Sequence, residues 1–192
     1  MLVVVSVLLS LAVKVLLLQA FSIPSGSMES TLQVGNRILV DKVGASDVQR
    51  GEVVVFDGRR EFAGVPEQKD YVKRVIAVAG DRVACCAAGR VTLQRAGSDT
   101  AVPLTEPYVF EDDGRPFCEV GQGAQCPDGA PGILVGEGRL WVMGDHRSRS
   151  ADSRANRASG DGTIGTDQVV GRAFAVVWPP SRAAFVTRPS LR

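Results

Sequence analysis

The run from Leu2 to Ala20, LVVVSVLLSLAVKVLLLQA, is apolar except at Ser6, Ser10, Lys14 and Gln19. At about 1.5 Å of helical rise per residue, roughly 20 such residues cross a hydrocarbon layer of about 30 Å. Lys14 costs about 3 kcal/mol near a bilayer centre, a cost that snorkelling relieves because it lies toward the C-terminal end. A cleaved leader would carry a charged n-region, which is absent, and no lysine inside its apolar stretch. A surface helix would show a polar stripe, and this run is apolar on every face. The run is therefore expected to be a membrane anchor over residues 1–21, followed by one folded domain over residues 22–192. No Lys or Arg precedes it, so the positive-inside rule has nothing to count and charge does not set the direction of insertion.

Beyond the anchor the punctuation is that of a β-domain. Gly 21 and Pro 10 among 192 residues make the chain rich in turns. Arg37–Lys42 (RILVDK), Glu52–Phe56 (EVVVF) and Asp70–Ala79 (DYVKRVIAVA) read as strands. The last of these ends at the turn signal Gly80-Asp81. Arg82–Ala84 with Arg90–Gln94 suggests a short hairpin, Leu140–Met143 a strand, and Val169–Trp178 a closing strand stopped by Pro179-Pro180. Residues from about 96 to 138 are rich in Gly, Pro and Asp and read as an irregular excursion. No later segment has a convincing helical period, so the expected class is mostly β.

Composition excludes some partners. A formal net charge of +1, from 22 basic and 21 acidic side chains, offers no footprint for nucleic acid. Cys85, Cys86, Cys118 and Cys126 permit three complete pairings. Cys118 and Cys126 bracket the short loop EVGQGAQ, where a disulfide would suit an extracytoplasmic domain; free packed thiols suit the sequence equally well. The spacing does not form paired zinc knuckles and His146 is the only histidine, so no metal is expected.

Ser25-Gly26-Ser27-Met28 follows Ile23-Pro24. A serine nucleophile needs exposure on a tight turn, a base within reach and donors for an oxyanion. Gly26 permits the turn, Pro24 stiffens its approach, and Ser25 could donate its hydroxyl beside a backbone N–H. Two bases compete. His146 would complete a triad, but it lies between Asp145 and Arg147 in a charged loop and reads as a surface residue. A lysine serves only when neutral, which burial favours. Lys73 lies in a strand whose alternation puts Tyr71, Lys73 and Val75 on one face and Val72, Arg74 and Ile76 on the other. The block from Gly144 to Arg154, GDHRSRSADSR, is too polar for a core. Within it Ser150 could orient the lysine, and Asp152 with Arg154 could form a bracing ion pair.

Four blocks in order, after an apolar anchor, resemble bacterial type I signal peptidase. They are F-S-I-P-S-G-S-M-x-x-T-L at Phe21–Leu32, R-G-E-V-V-V-F at Arg50–Phe56, D-Y-V-K-R-V-x-x-x-x-G-D at Asp70–Asp81 and the block at Gly144–Arg154. The resemblance implies a coiled, mostly antiparallel β-fold with a reduced cap over 96–138. It makes Ser27 the acyl-forming nucleophile, Lys73 its general base, Ser25 the side-chain oxyanion donor and Ser150 the residue that positions the lysine. Asp145–Arg74 and Asp152–Arg154 become supporting ion pairs. Phe21, Ile23, Pro24, Met28, Leu32, Tyr71, Val72 and Ala151 become the substrate pocket, sized for the small residues of an A-x-A site. The implied activity is removal of signal peptides from exported preproteins at the outer face of the cytoplasmic membrane. The implied protein is a single-pass monomer contacting membrane lipid, with no cofactor. Ser30 stands where many members have proline, and His146 where asparagine is frequent; His146 is read as a variant loop residue. A Ser-Met followed by a strand lysine also occurs in LexA-like self-cleaving repressors, which lack the anchor and the last block. A tethered β-domain without catalysis is the remaining alternative.

Overall fold

The computed structural model describes residues 17–45, 47–60, 62, 70–87, 89–114, 117, 132–157 and 161–191. Two antiparallel sheets carry them. The larger runs in the order β1 (Leu18–Ser22), β2 (Arg37–Asp41), β11 (Val169–Trp178), β3 (Val53–Asp57), β4 (Asp70–Val78), β9 (Arg139–Met143), β10 (Ile164–Gly165), with β12 (Ala184–Phe185) also paired to β11. The smaller has the order β7 (Ala101–Pro103), β6 (Arg90–Gln94), β5 (Arg82–Ala87), β8 (Ile133–Leu134).

The strand patterns follow from position. β2 alternates, with Ile38 and Val40 turned into the core between more exposed neighbours. β3 lies between β11 and β4, so Val53, Val54, Val55 and Phe56 are all buried and the run is continuously apolar. At Gly171 β11 packs tightly on β2: a side chain there would strike the carbonyl of Asp41, and the β11–β3 register shifts beside it. Gly80, at φ +83°, takes the left-handed turn that moves the chain from the larger sheet to the smaller. The next residue, Asp81, is fully buried. It accepts hydrogen bonds from the amides of Val78 and Ala96 and pairs with Arg50 at 2.5 Å, which pins the junction of the two sheets.

The expected strands all form, within a residue or two at their ends except β5, which runs to Ala87. Two differences concern the anchor and the excursion. Leu18–Phe21, assigned above to the end of the anchor, belong instead to β1, paired residue for residue with β2 from Leu18↔Asp41 to Ser22↔Arg37. The unpaired side of β2 captures them, and the stretch carries only a few of the polar residues that would have signalled a strand. Residues 1–16, including Lys14, lie outside the described residues, and no helix among the described residues is long and apolar enough to cross a membrane. The excursion contributes β7, β8 and a bridge from Phe117 to Cys85, so part of it is built into the second sheet. Cys118 and Cys126 lie outside the described residues, whereas the adjacent Cys85 and Cys86 are joined to each other.

Candidate active site

The loop from Ile23 to Asn36, between β1 and β2, is anchored at both ends. The amide of Ile23 donates to the carbonyl of Asn36, and that of Gly35 donates to the carbonyl of Ile23. Ile23, Met28 and Leu32 are buried against Ile38, Val40, Val53 and Val55, so the apolar side chains of the loop fasten it to the sheet. Between them, the turn at Gly26 leaves Ser25 and Ser27 facing outward. Their hydroxyls are 3.5 Å apart, Ser25 donating.

Lys73 reaches this turn from β4. Its Nζ lies 2.7 Å from Ser27 Oγ and 3.0 Å from the carbonyl oxygen of Val72. The residue is only 4% exposed. Burial pulls its pKa from 10.5 down to about 8, against the opposing pull of the Asp152 and Asp145 carboxylates. A lysine in this position is neutral in a useful fraction of molecules near neutral pH. His146, by contrast, makes no contact with Ser27 Oγ; its ring turns to Gly26 O, Glu29 and Glu111. The surface position expected for it is not observed: it is 1% exposed, packed edge-on against Phe110.

Both expected ion pairs form. Arg74 grips Asp145 with two bonds, Nε–Oδ1 at 2.9 Å and Nη2–Oδ2 at 2.6 Å, both side chains buried. Its Nη1 donates to the carbonyls of Gly51 and Thr187, and the guanidinium lies 4.1 Å from the Tyr108 ring centre. Arg154 makes a similar fork to Asp152, at 3.0 and 2.9 Å. Burial alone would raise the Asp152 carboxyl, but the Arg154 fork and the amide of Gly144 hold it below the ordinary carboxylate range.

Gly144 shows how closely these pieces meet. A methyl group on its Cα would collide with the Ser150 side chain and lie 2.5 Å from the carbonyl oxygen of Ser27. Ser150 therefore adjoins the Ser27 turn. Its hydroxyl is buried near enough to Asp152 to favour that charge, yet it makes no well-formed hydrogen bond, including none to Lys73. A cavity of about 230 Å³ opens beside Ser27 and Lys73, lined by Phe21, Ser22, Ile23, Pro24, Ser25, Met28, Asp70 and Val72. Three expected lining residues lie elsewhere. Leu32 is fully buried among the side chains that fasten the loop, Ala151 is exposed, and Tyr71 packs between Phe56 and Phe62. Tyr71 packs with Val75 into the cluster around Val54, while Lys73, on the same face by alternation, reaches Ser27 with its longer side chain.

Thr31, not among the site residues expected from sequence, donates its hydroxyl to Asp145 Oδ2 and joins the Ser27 loop to the buried pair. It lies in the block Phe21–Leu32, but a loop threonine carries no signal of a partner 114 residues away.

A family model described as "Signal peptidase, peptidase S26" matches residues 1–178. The chain belongs to this family. Its relatives in the S26 family include "Probable signal peptidase I" of Mycobacterium leprae, 36% identical over 211 residues, covering 84% of this chain and 69% of that protein. "Signal peptidase I" of Mycobacterium tuberculosis is 33% identical, covering 93% of this chain and 71% of that protein. "Signal peptidase I" of Bacillus licheniformis is 31% identical, over 92% of this chain and 86% of that one. The S26 chain described above is thus a signal-peptide-cleaving serine peptidase.

Proposed function

We propose that this peptidase cuts with a Ser–Lys dyad, Ser27 attacking the scissile carbonyl as neutral Lys73 takes its hydroxyl proton. The observation that carries the reading is the 2.7 Å approach of a buried lysine to Ser27 Oγ. The new C–O bond turns the carbonyl oxygen into an oxyanion, which the Ser25 hydroxyl and the Ser27 amide are arranged to meet. The Lys73 ammonium then protonates the leaving amine as the C–N bond breaks. Neutral again, it takes a proton from the water that hydrolyses the acyl-enzyme. The Asp152–Arg154 pair supports the lysine side of the site, Ser150 packs beside the Ser27 turn, and Asp145–Arg74 supports the serine loop through Thr31.

The substrate is the signal peptide of an exported preprotein, bound extended. Among the described residues β9 pairs with β4 from Arg74 onward, which leaves the Tyr71–Lys73 edge of β4 without a strand neighbour on that side. Strand addition there and along Ile23–Ser25 would feed small side chains into the cavity lined by Ile23, Met28 and Val72. The N-terminal apolar run acts as the membrane anchor, with the catalytic domain on the extracytoplasmic side as a monomer. No metal or organic cofactor takes part.

Cleavage of a preprotein by Ser27→Ala and Lys73→Ala variants is the direct test, and both should be inactive. Full activity in either would refute the dyad. In the parent enzyme kcat/KM should rise with pH through about 8, as Lys73 loses its proton; a limb placed near 10.5 would mean an unperturbed lysine.

A further inference from the structure

His146 faces three oxygens that can only accept, or accept best. Its Nδ1 lies 3.2 Å from Gly26 O and 3.1 Å from Glu29 Oε2, and its Nε2 lies 3.0 Å from Glu111 Oε2. Each ring nitrogen therefore has an acceptor oxygen within hydrogen-bond distance, and the ring spans from the Gly26 turn to Glu111. The main chain continues the pattern. The amide of His146 donates to Ser27 O at 3.2 Å, so ring and backbone together hold the carbonyls of Gly26 and Ser27.

The far end of this contact is held as firmly. Phe110 and His146 form a parallel bridge, with Phe110 N donating to Asp145 O, Arg147 N to Phe110 O and Ser148 N to Glu111 O. Among the described residues Glu111 is the one non-glycine with positive φ, at 43°. Such a conformation is strained for a residue with a side chain and persists where the surroundings fix it. Here it delivers the carboxylate to Nε2. The other charged groups nearby are engaged elsewhere: Asp145 with Arg74, and Arg147 with Glu106 at 2.6 Å.

We propose that His146 is a positioning residue for the nucleophile: bridging Glu29 and Glu111, it clamps the Gly26–Ser27 turn to the 110–111 segment and so keeps Ser27 Oγ at Lys73. This role rests on the Ser27–Lys73 reading. It differs from a triad base, since the ring binds the turn and not the hydroxyl.

The test measures kcat, KM and Tm on a preprotein substrate for His146→Ala, Glu111→Ala and the double variant. Loss of the clamp lets the turn drift, so kcat should fall about tenfold or more with KM within about twofold. The double variant should be no slower than His146→Ala, because both changes break one link. His146→Gln, which restores a donor toward Gly26 O, should recover part of kcat. A lowered Tm with kcat unchanged, or effects that multiply in the double variant, would overturn the role. If His146→Ala does not fold, Glu111→Ala decides alone, since its side chain is 57% exposed and its loss leaves the core intact. Ser27→Ala assayed alongside separates the two failures. Full activity there removes the dyad and this role together, whereas an inactive Ser27→Ala beside unaffected His146→Ala and Glu111→Ala removes the role alone.

Discussion

Replacing Lys73 by Met should make the folded protein relatively more stable at neutral pH than in alkali, compared with the parent. The folded chain holds Lys73 at about 8, while the unfolded chain releases the same proton near 10.5. Between those values the unfolded state binds more protons, so parent stability rises with pH across this window. Below it, the parent carries the full cost of a buried ammonium, about 3 kcal/mol at roughly 1.4 kcal/mol per pH unit. Above about 10.5 the lysine is neutral in both states and the cost is gone. Met has nearly the same length and does not titrate. It forfeits the bonds to Ser27 Oγ and Val72 O, each worth about 1 kcal/mol, but that loss is the same at every pH. The difference in unfolding free energy between variant and parent should therefore shift by about 3 kcal/mol in favour of the parent from pH 7 to pH 11. In Tm this is about 6–12 °C for a chain of this size. Urea melts of both proteins at intervals of pH measure it directly. A difference constant to within about 1 kcal/mol over that range would refute the depressed lysine, and with it the account of how Lys73 becomes a base.

Other perturbations address the supports. Asp145→Ala leaves Arg74 buried without its carboxylate and should cost about 3–5 kcal/mol in urea unfolding; a loss under 1 kcal/mol would show that the Gly51 and Thr187 carbonyls suffice. Gly144→Ala pushes on both Ser150 and Ser27 O, and should lower kcat about tenfold or more with the fold retained by circular dichroism. Activity within twofold of the parent would mean the turn yields without consequence. Ser25→Ala removes one oxyanion donor and should lower kcat about 10²–10³-fold at unchanged KM. A purely raised KM would assign Ser25 to substrate binding.

The strands were legible because period and punctuation agree: β2 alternates, β3 is uniformly apolar, and Gly80-Asp81 ends β4 where turn chemistry says it should. The Ser27–Lys73 contact was legible in the same local way, from a serine on a Gly turn and a lysine in an apolar strand. What escaped depended on pairing between distant segments. Leu18–Phe21 look like the tail of an apolar helix and become a strand only because β2 offers them an edge. Tyr71 was expected in the pocket with its strand neighbours, but Phe56 and Phe62, one of them from the preceding loop, draw it into their own cluster. His146 looked solvated amid Asp145, Arg147 and Arg149; its burial comes from Phe110 and from carboxylates 35 and 117 residues away, which no local pattern announces.

The anchoring of Arg74 also bears on when during synthesis the site can first exist. Its guanidinium takes oxygens from Gly51, from Asp145 and from Thr187, so its last partner leaves the ribosome well after Ser27 and Lys73. A nascent chain halted before Thr187 holds Ser27 and Lys73 but lacks that final carbonyl for Arg74. The support around Arg74 thus draws on chain that is made both before and after the Ser27 and Lys73 segments.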